Sequence, residues 1–325
     1  MIKKASFLQV GGTNPYENLA MEEYLMMNCG QDEGILYLWQ NRRTVVVGRN
    51  QNCWKECDVK QLEKDGGFLV RRLSGGGAVY HDLGNLNFTF LVRKDNYDID
   101  KQTEVIKKAV GLLGIHAERT GRNDITVEGM KFSGNAFYKR GDYCYHHGTI
   151  LLKADKVKMS KYLTVSAEKL RSKGVNSVPS RVTNLCEFCE GLTVESMSQN
   201  LRKAFGGVYG LPVEELKIPK AAEKPLQENR RRFESWEWKY GKSSPFHNEF
   251  EKRFSWGNIQ LQFSVKEGII ESANVYSDAM DIQWVMYLSD RLPGCRYDCE
   301  EICALVKDFP HEVKGDLIVF IKENI

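Results

Sequence analysis

The feature that most constrains this chain is a run of three glycines, Gly75-Gly76-Gly77, preceded by two arginines and followed by a His-Asp pair. Glycine lets the backbone take positive φ and approach a ligand without a Cβ clash. Successive N–H groups in such a loop can form a concavity that holds an anion, and Arg71 and Arg72 add donors suited to phosphate or carboxylate. A glycine-rich hairpin with solvent-facing arginines is the alternative. The flanking charges and His81-Asp82 favour a site for an acidic small molecule.

The composition is that of an ordinary soluble globular protein. The 325 residues suffice for two domains with a substantial core. The net charge of +3 is too small to indicate nucleic acid, but it suits anionic ligands. No apolar run approaches the roughly 20 residues of a membrane span. The first ten residues lack a cleavage-site pattern after them, so we interpret them as a strand rather than a signal peptide.

The nine cysteines predict reduced, cytosolic thiols. Cys186 and Cys189 have C-x-x-C spacing, but only the more widely spaced Cys295 and Cys299 could complete a zinc site. We therefore predict no protein-bound metal.

The order of predicted elements indicates an α+β fold. Strands are predicted at 34–40, 44–48, 68–70, 124–127, 131–138 and 143–152, with helices at 14–30, 55–64 and 102–113. The turn at 82–85 predicts a hairpin between strands at 79–80 and 86–91. Hairpins mixed with helices favour α+β over a doubly wound sheet. Neither a G-x-G-x-x-G after the first strand nor a P-loop motif is present, so neither nucleotide-binding fold is indicated.

A boundary near Lys242-Ser243-Ser244-Pro245 divides the chain into domains at 1–243 and 246–325. The aromatic cluster just before it, from Phe233 to Tyr240, is interpreted as a buried strand that packs the two domains together. Strands at 254–265 and 269–276 predict a hairpin in the second domain, followed by short helices.

Lys131 is the strongest candidate for chemistry. It lies on a predicted strand among small or amide-bearing neighbours, so its ammonium could stabilise charge on a phosphate or carboxylate oxygen; an exposed strand lysine is the alternative. Asn123 and Asp124 precede a strand and suit either adenine and Mg²⁺-phosphate contacts or an Asx turn with a surface ion pair. His146 and His147 face opposite sides of a strand and cannot easily share a metal, so one is expected to pack or line a pocket and the other to be exposed.

The basic stretch from Lys169 to Arg181, which includes Lys173, is either a solvated surface loop or a lid that closes over phosphates.

Taken together, these motifs resemble the lipoate–protein ligase A family. The resemblance rests on Arg71 to Asn85, Gly121 to Asp124, Lys131 to Gly134, His146 to Thr149 and Ser180 to Leu185, and it extends through Ser235-Trp236-Glu237-Trp238 and Phe254 to Gly257. It implies a large catalytic domain of the kind shared with biotin protein ligases, with mixed and antiparallel sheets and flanking helices. It also implies a small α+β accessory domain at the C-terminus.

The resemblance also implies an activity and a site. Free (R)-lipoate and MgATP give lipoyl-AMP and pyrophosphate, and the lipoyl group then passes to a lysine of an acceptor domain. Mg²⁺ is carried with ATP. The residues assigned to ATP are Arg72, Gly77, Ala78, Val79, Tyr80 and Lys131. Those assigned to lipoate are Lys131, Gly75, Gly76, His81, His147, Leu19 and Met21. Lys169, Lys173 and Arg181 would cover the adenylate, with Asn123 and Asp124 in support.

The implied acceptors are apo lipoyl domains of 2-oxoacid dehydrogenase acyltransferase subunits and the glycine cleavage H protein. A cytoplasmic monomer that binds neither nucleic acid nor membrane is expected. Two alternatives remain open. One is an octanoyl or lipoyl transferase that uses a cysteine thioester, for which Cys144 and Cys186 are the candidates. The other is a protein that binds lipoate without turnover.

Overall fold

The computed structural model describes residues 1–121, 123–164, 182–241 and 248–325. These form two compact units. Unit 1 comprises Met1–Val46, Trp54–Val70 and Val79–Ser235, and unit 2 comprises Val47–Cys53, Arg71–Ala78 and Trp236–Ile325. The predicted domain boundary falls among residues 242–247, which lie outside the described residues, so it stays a prediction.

Unit 1 is built on an eight-stranded mixed sheet in the order β11-β1-β2-β6-β10-β9-β8-β7. Its strands are β1 (Lys4–Gln9), β2 (Glu33–Trp39), β6 (Asn85–Arg93), β7 (Glu118–Thr120), β8 (Asp124–Val127), β9 (Met130–Arg140), β10 (Tyr143–Leu151) and β11 (Val213–Glu215). Strand β1 pairs parallel with both β2 and β11. All the other neighbours in this sheet, from β2 through β6, β10, β9 and β8 to β7, pair antiparallel. The α+β prediction is confirmed.

Helix α1 packs on one face of this sheet, and helices α4 and α6 pack on the other. The helix bounds in chain order are α1 (Pro15–Met27), α2 (Cys53–Glu56), α3 (Val59–Lys64), α4 (Ile99–Gly111), α5 (Lys156–Tyr162), α6 (Val194–Tyr209) and α7 (Glu223–Glu234). Helix α1 begins as predicted, because the Asn14 side chain accepts a hydrogen bond from the Tyr16 amide and Pro15 occupies the first turn. Helices α4 and α6 supply the main apolar core, where Val105, Ile106 and Phe205 meet Phe88 and Phe90 of the sheet.

A second sheet of three strands has the order β4-β3-β5, with β3 at Thr44–Val47, β4 at Phe68–Arg71 and β5 at Val79–His81. The predicted hairpin at the 82–85 turn is therefore wrong, since β5 and β6 belong to different sheets. The turn instead carries the chain from one sheet to the other. It is held there because the Lys153 and Leu152 amides both donate to the Gly84 carbonyl oxygen at 2.9 Å.

Unit 2 has its own core. Its antiparallel sheet consists of β12 (Asn248–Phe254), β13 (Gly257–Lys266) and β14 (Ile269–Ser277), and its helices are α8 (Trp236–Tyr240), α9 (Gln283–Arg291), α10 (Cys299–Lys307) and α11 (Lys314–Asn324). The predicted second-domain hairpin is confirmed as β13 and β14. The cluster from Phe233 to Tyr240 is not a strand: it lies at the end of α7 and in α8, and Trp236 is exposed. A 5-residue run with aromatic residues at alternate positions is too short for period alone to separate strand from helix.

Within the described ranges, none of the helices is both long and apolar enough to traverse a lipid bilayer.

Candidate active site

The face of the large sheet that lies under α1 is polar, although it is buried. Pairing register puts Tyr37, Thr89, His147 and Ala136 side by side across β2, β6, β10 and β9, and puts Trp39, Asn87 and Thr149 in the next row. Side chains alternate between the faces of a strand, so Phe88, Phe90 and Ile150 point to the apolar core on the other side. Polar residues on a buried face need partners, and helix α1 supplies one of them.

Glu22 of α1 is that partner. Its side chain is about 1% exposed, and one carboxylate oxygen accepts hydrogen bonds from Thr89 Oγ1 at 2.7 Å and His147 Nδ1 at 2.8 Å. Trp39 Nε1 donates to Thr89 Oγ1 at 3.1 Å and extends the network to β2. Because the carboxylate can only accept, the proton of the His147–Glu22 hydrogen bond lies on Nδ1.

The second sheet brings His81 to the end of this network. The His81 ring lies 6.1 Å from the Trp39 ring, edge to face, and His81 Nδ1 is 3.2 Å from Asn41 Nδ2. Of the other predicted lipoate residues, Leu19 is buried and Met21 is half-buried, both within one turn of Glu22 on α1. The structure therefore gathers His81, His147 and Leu19 around one buried polar layer.

His146 and His147 do face opposite sides, as predicted, but the expectation that one is exposed is wrong. His146 is fully buried on the core side, where its ring nitrogens meet Gln102 Oε1 at 3.2 Å and Asn135 Oδ1 at 2.8 Å. Burial lowers the pKa of His146 to about 3. The imidazole is therefore neutral, and both faces of β10 are covered by helices.

Lys131 reaches the same sheet face from β9. Its ammonium is 2.7 Å from Asp124 Oδ1, and the two side chains are 18% and 13% exposed. The lysine side chain folds over Gly134, where an added Cβ would lie 2.7 Å from Nζ and 3.8 Å from Thr149 Oγ1. A side chain at position 134 would therefore displace the ammonium from this place. Lys131 is thus a partly buried cation over Gly134, whose amide donates to Thr149 Oγ1 at 3.1 Å on β10.

The turn before β8 is fixed by backbone contacts. Asn123 Nδ2 donates to the Asn135 carbonyl oxygen at 3.0 Å, and the Asn135 amide donates to the Asn123 carbonyl oxygen at 2.8 Å. Asp124, which follows the turn, is therefore aimed at Lys131, and the ion pair is buried more deeply than the surface pair that the sequence left open.

In unit 2 the glycine loop is held by its own arginines. Arg72 donates to Ser74 Oγ and to the Gly75 and Gly77 carbonyl oxygens. Gly76 has φ +87°, and an added Cβ would lie 3.0 Å from Arg72 Nη2. Both constraints explain why the loop requires glycine. The Gly76 amide donates to the Ala279 carbonyl oxygen at 3.0 Å.

Arg71 has a structural role that the sequence did not indicate. Its guanidinium is buried and donates to five backbone carbonyl oxygens, those of Gly48, Arg49, Gln51, Trp238 and Lys239. Burial lowers the pKa of Arg71 to about 10, so the cation persists at neutral pH. Arg71 anchors the start of the glycine loop and is not a candidate for a ligand at its mouth.

The other predicted ATP residues lie next to the loop in sequence. Gly77 and Ala78 are half-buried in unit 2, and Val79 and Tyr80 form part of β5 in unit 1, where Tyr80 is buried. Lys169, Lys173 and Arg181 lie outside the described residues.

Sequence reasoning missed Glu22, Trp39, Thr89 and Asn41. A signal was present in β6, where Asn87 and Thr89 interrupt an apolar strand at alternate positions and so mark one polar face. No local pattern distinguishes Glu22 from Glu23 on α1.

Comparisons with known proteins identify the family of this chain. Residues 14–206 match the family model described as the lipoyl protein ligase A/B catalytic domain, and residues 243–318 match that of the bacterial lipoate protein ligase C-terminus. The fold and the matched ranges define a cofactor ligase with an accessory domain. The chain belongs to the lipoate–protein ligase family.

A lipoate-protein ligase A from Psychrobacter cryohalolentis is 41% identical over 309 residues, which cover 93% of this chain and 91% of the relative. The crystal structure of P. falciparum LipL1 in complex with lipoate has a TM-score of 0.85 at 31% identity and covers 98% of this chain and 99% of that one. A lipoate-protein ligase A bound with ATP has a TM-score of 0.64 at 26% identity, over 74% of this chain and 99% of that one.

Proposed function

We propose that this protein is an ATP-dependent lipoate–protein ligase that forms lipoyl-AMP with release of pyrophosphate and then transfers the lipoyl group to a lysine of an acceptor domain. The observation that carries the proposal is the Lys131 ammonium, partly buried at one end of a covered polar sheet face. That arrangement suits an acid whose carboxylate must react while its chain is kept from water. Family membership and the lipoate-bound and ATP-bound relatives support it.

In the first half-reaction, two anions must be brought together, so cations and aligned N–H groups are required. Lys131 would stabilise the negative charge on the carboxylate and α-phosphate oxygens as they react. Asp124, at 2.7 Å from Nζ, would hold the ammonium in place until substrate arrives. Leu19, Met21, His81 and His147 would line the acyl part of the site, and Gly75 and Gly76 remain assigned to lipoate by the resemblance alone.

The glycine loop would bind the nucleotide. Arg72 carries the charge, while Gly77, Ala78, Val79 and Tyr80 bring backbone N–H groups to the phosphates. The Arg72 contacts to the Gly75 and Gly77 carbonyl oxygens keep the guanidinium against the loop. Lys169, Lys173 and Arg181 would complete the adenylate site from residues that the structure does not describe.

Mg²⁺ would enter with ATP. It prefers oxygen ligands and is commonly bound through one or two carboxylates together with substrate phosphates. Asp124 offers such a carboxylate beside Lys131, and Asn123 fixes the turn that aims it, so the residues present fit the ion. When bound, the ion would neutralise charge on the leaving pyrophosphate.

Cys144 is a poor nucleophile for a thioester mechanism. Its side chain is fully buried, and burial raises the pKa of its thiol, which lowers the thiolate fraction. Cys186 is half-buried in the middle of a short helical turn, Leu185–Glu187. These observations favour the ATP-using ligase over the transferase.

The acceptors proposed are apo lipoyl domains of 2-oxoacid dehydrogenases and the glycine cleavage H protein. We further propose that this ligase is a monomer located in the cytoplasm. None of the nine cysteines of the chain forms a disulfide, which accords with a reducing compartment.

The test is pyrophosphate release from the purified protein with ATP, Mg²⁺ and free lipoate, followed by the mass of an added apo lipoyl domain. The ligase gives lipoate-dependent pyrophosphate and an acceptor heavier by one lipoyl group. A transferase would acylate the acceptor only from a preformed thioester or acyl-carrier donor, and a binding protein would release no pyrophosphate. The absence of lipoate-dependent pyrophosphate, or acylation only from such a donor, would refute the proposal.

A further inference from the structure

Helices α4 and α6 leave a groove between them on the surface of unit 1. The groove has a volume of about 540 Å³, and its floor consists of the apolar side chains of Leu112, Ile115, Ala117 and Ala204. Three of these residues are buried, but Leu112, just after the end of α4, is 48% exposed. Since α4 and α6 pack on the sheet face opposite to α1, this groove is separate from the candidate active site.

The rim of the groove is positively charged. Lys107 and Lys108 lie on its α4 side, and Lys203 lies on its α6 side. Among the described residues that line the groove, Glu104 is the one carboxylate, and it is 3.4 Å from the Lys107 ammonium. Within the described part of the chain, neither Lys108 nor Lys203 forms an ion pair. Two cations on opposite sides of an apolar floor are therefore available to an anionic partner.

A second hollow adjoins the first, between α6 and the segment that leads into β11. It has a volume of about 440 Å³, and Leu211 and Val213 supply its apolar wall. The two hollows share Lys203 and Gly207, which lie one turn apart on α6. Because Gly207 has no side chain to separate the hollows, they form one depression that crosses α6.

Packing within the described chain does not explain the glycine at position 207. A Cβ added there would meet nothing within 4 Å, whereas one added at Gly206 would lie 3.0 Å from the Leu211 carbonyl oxygen and from Val213 Cγ2. Close packing therefore explains Gly206 but not Gly207. A glycine inside a helix costs stability relative to alanine, and it permits another backbone to approach closely. Gly207 thus fits a place where a second chain crosses α6.

We propose that this depression is a docking site for an amphipathic helix of a partner protein, whose apolar stripe is flanked on both sides by carboxylates. Apolar side chains at helical spacing enter the two hollows on either side of Gly207, and the carboxylates pair with Lys108 and Lys203. A lipid surface would need an apolar protrusion rather than a hollow, and a nucleic acid would gain little from the apolar floor. This inference does not depend on the proposed function.

The test measures the fluorescence anisotropy of a labelled synthetic peptide mixed with the full-length protein. The probe is a helical peptide of about 15 residues with leucine at every third and fourth position and glutamate on both flanks, and its counterpart has lysine in place of glutamate. Lys203→Glu reverses one charge of the rim, and Gly207→Leu fills the point where the hollows meet. The matched controls are Lys64→Glu, at an exposed lysine of α3, and Gly315→Leu, at a glycine of α11 with equally open space.

The wild type is expected to bind the glutamate peptide at least about tenfold more tightly than the lysine peptide, because like charges repel across the rim. Lys203→Glu and Gly207→Leu should each weaken binding of the glutamate peptide by about tenfold or more, the first through charge and the second through the loss of space. Both controls should bind as the wild type does. Added salt should weaken the binding, since the rim charges are exposed.

The inference is overturned if the wild type does not bind the glutamate peptide or binds both peptides equally well. It is also overturned if the groove variants bind the glutamate peptide as the wild type does. Thermal unfolding checks that each variant folds, and the exposed position of Lys203 leaves a usable variant even if Gly207→Leu does not fold. None of these results bears on the proposed function, which is tested by pyrophosphate release.

Discussion

Substitution of Lys131 can distinguish the effect of its ammonium on catalysis from its effect on the stability of the fold. Lys131→Met deletes the cation and keeps an unbranched side chain over Gly134. Loss of one buried donor that stabilises charge in a transition state typically costs ~2.7–4 kcal/mol, or 10²–10³ in kcat. We therefore expect lipoate-dependent pyrophosphate release to fall by at least about a hundredfold.

The same change also affects the fold, and the structure gives the size of that effect. Asp124 is only 13% exposed and loses its ion pair with the ammonium at 2.7 Å. Removing the charged partner of a buried group costs about 1–3 kcal/mol. Lys131→Met should lower the free energy of unfolding by that amount. Lys131→Met with Asp124→Asn should recover most of it, because the carboxylate that lost the cation is then replaced by a neutral amide.

The two measurements are urea unfolding and pyrophosphate release, made on the single variant, the double variant and a control. Lys139→Met on the same strand is the control, since Lys139 is exposed and its ammonium lies over the Tyr97 ring. The double variant should regain stability and remain inactive, which a structural role for Lys131 alone would not produce. Release within threefold of the wild type by a folded Lys131→Met protein would refute the catalytic role.

Three further predictions concern groups that the proposed reaction does not use. Burial lowers the pKa of His146 to about 3 from 6.5, so as the pH falls the unfolded chain binds a proton at this histidine before the folded protein does. The free energy of unfolding should therefore fall by about 2 kcal/mol from pH 6.5 to pH 5. His146→Gln should remove that part of the pH slope in urea unfolding, and an identical slope in both proteins would contradict the assignment. Arg71→Met removes the guanidinium that donates to five backbone carbonyl oxygens and should lower the free energy of unfolding by about 3 kcal/mol or more. A change below about 1 kcal/mol would show that water replaces the guanidinium. Cys144→Ser and Cys186→Ser should each retain lipoate-dependent pyrophosphate release within a fewfold of the wild type, and loss of release in a folded variant would favour the thioester mechanism.

Local sequence patterns predicted much of the fold. The strand prediction at 124–127 is confirmed to the residue, and those at 131–138 and 143–152 differ from the structure by one or two residues at their ends. These strands were predicted from the alternation of apolar and polar residues and from the turn residues that flank them, both of which can be read directly from the sequence. The predicted helix at 55–64 is instead two short helices, α2 and α3, because the Asp58 side chain caps a new start by accepting a hydrogen bond from the Gln61 amide. Helix α7, for which the sequence analysis predicts no element, forms ion pairs with α1 that no local pattern reveals.

The sequence by itself determined which residues are unusual: three glycines after two arginines, a lysine among small residues, and a His-His pair on an apolar strand. Only the tertiary structure decided what these residues meet. Glu22 reaches Thr89 and His147 across 67 and 125 residues of chain, and Arg71 reaches Lys239 across 168. Such contacts depend on the register between distant strands and on the helix laid over them, and a shift of one residue would turn each side chain to the opposite face. The chain therefore specifies its reactive groups locally, while long-range pairing of the sheet sets the environment that gives each group its role.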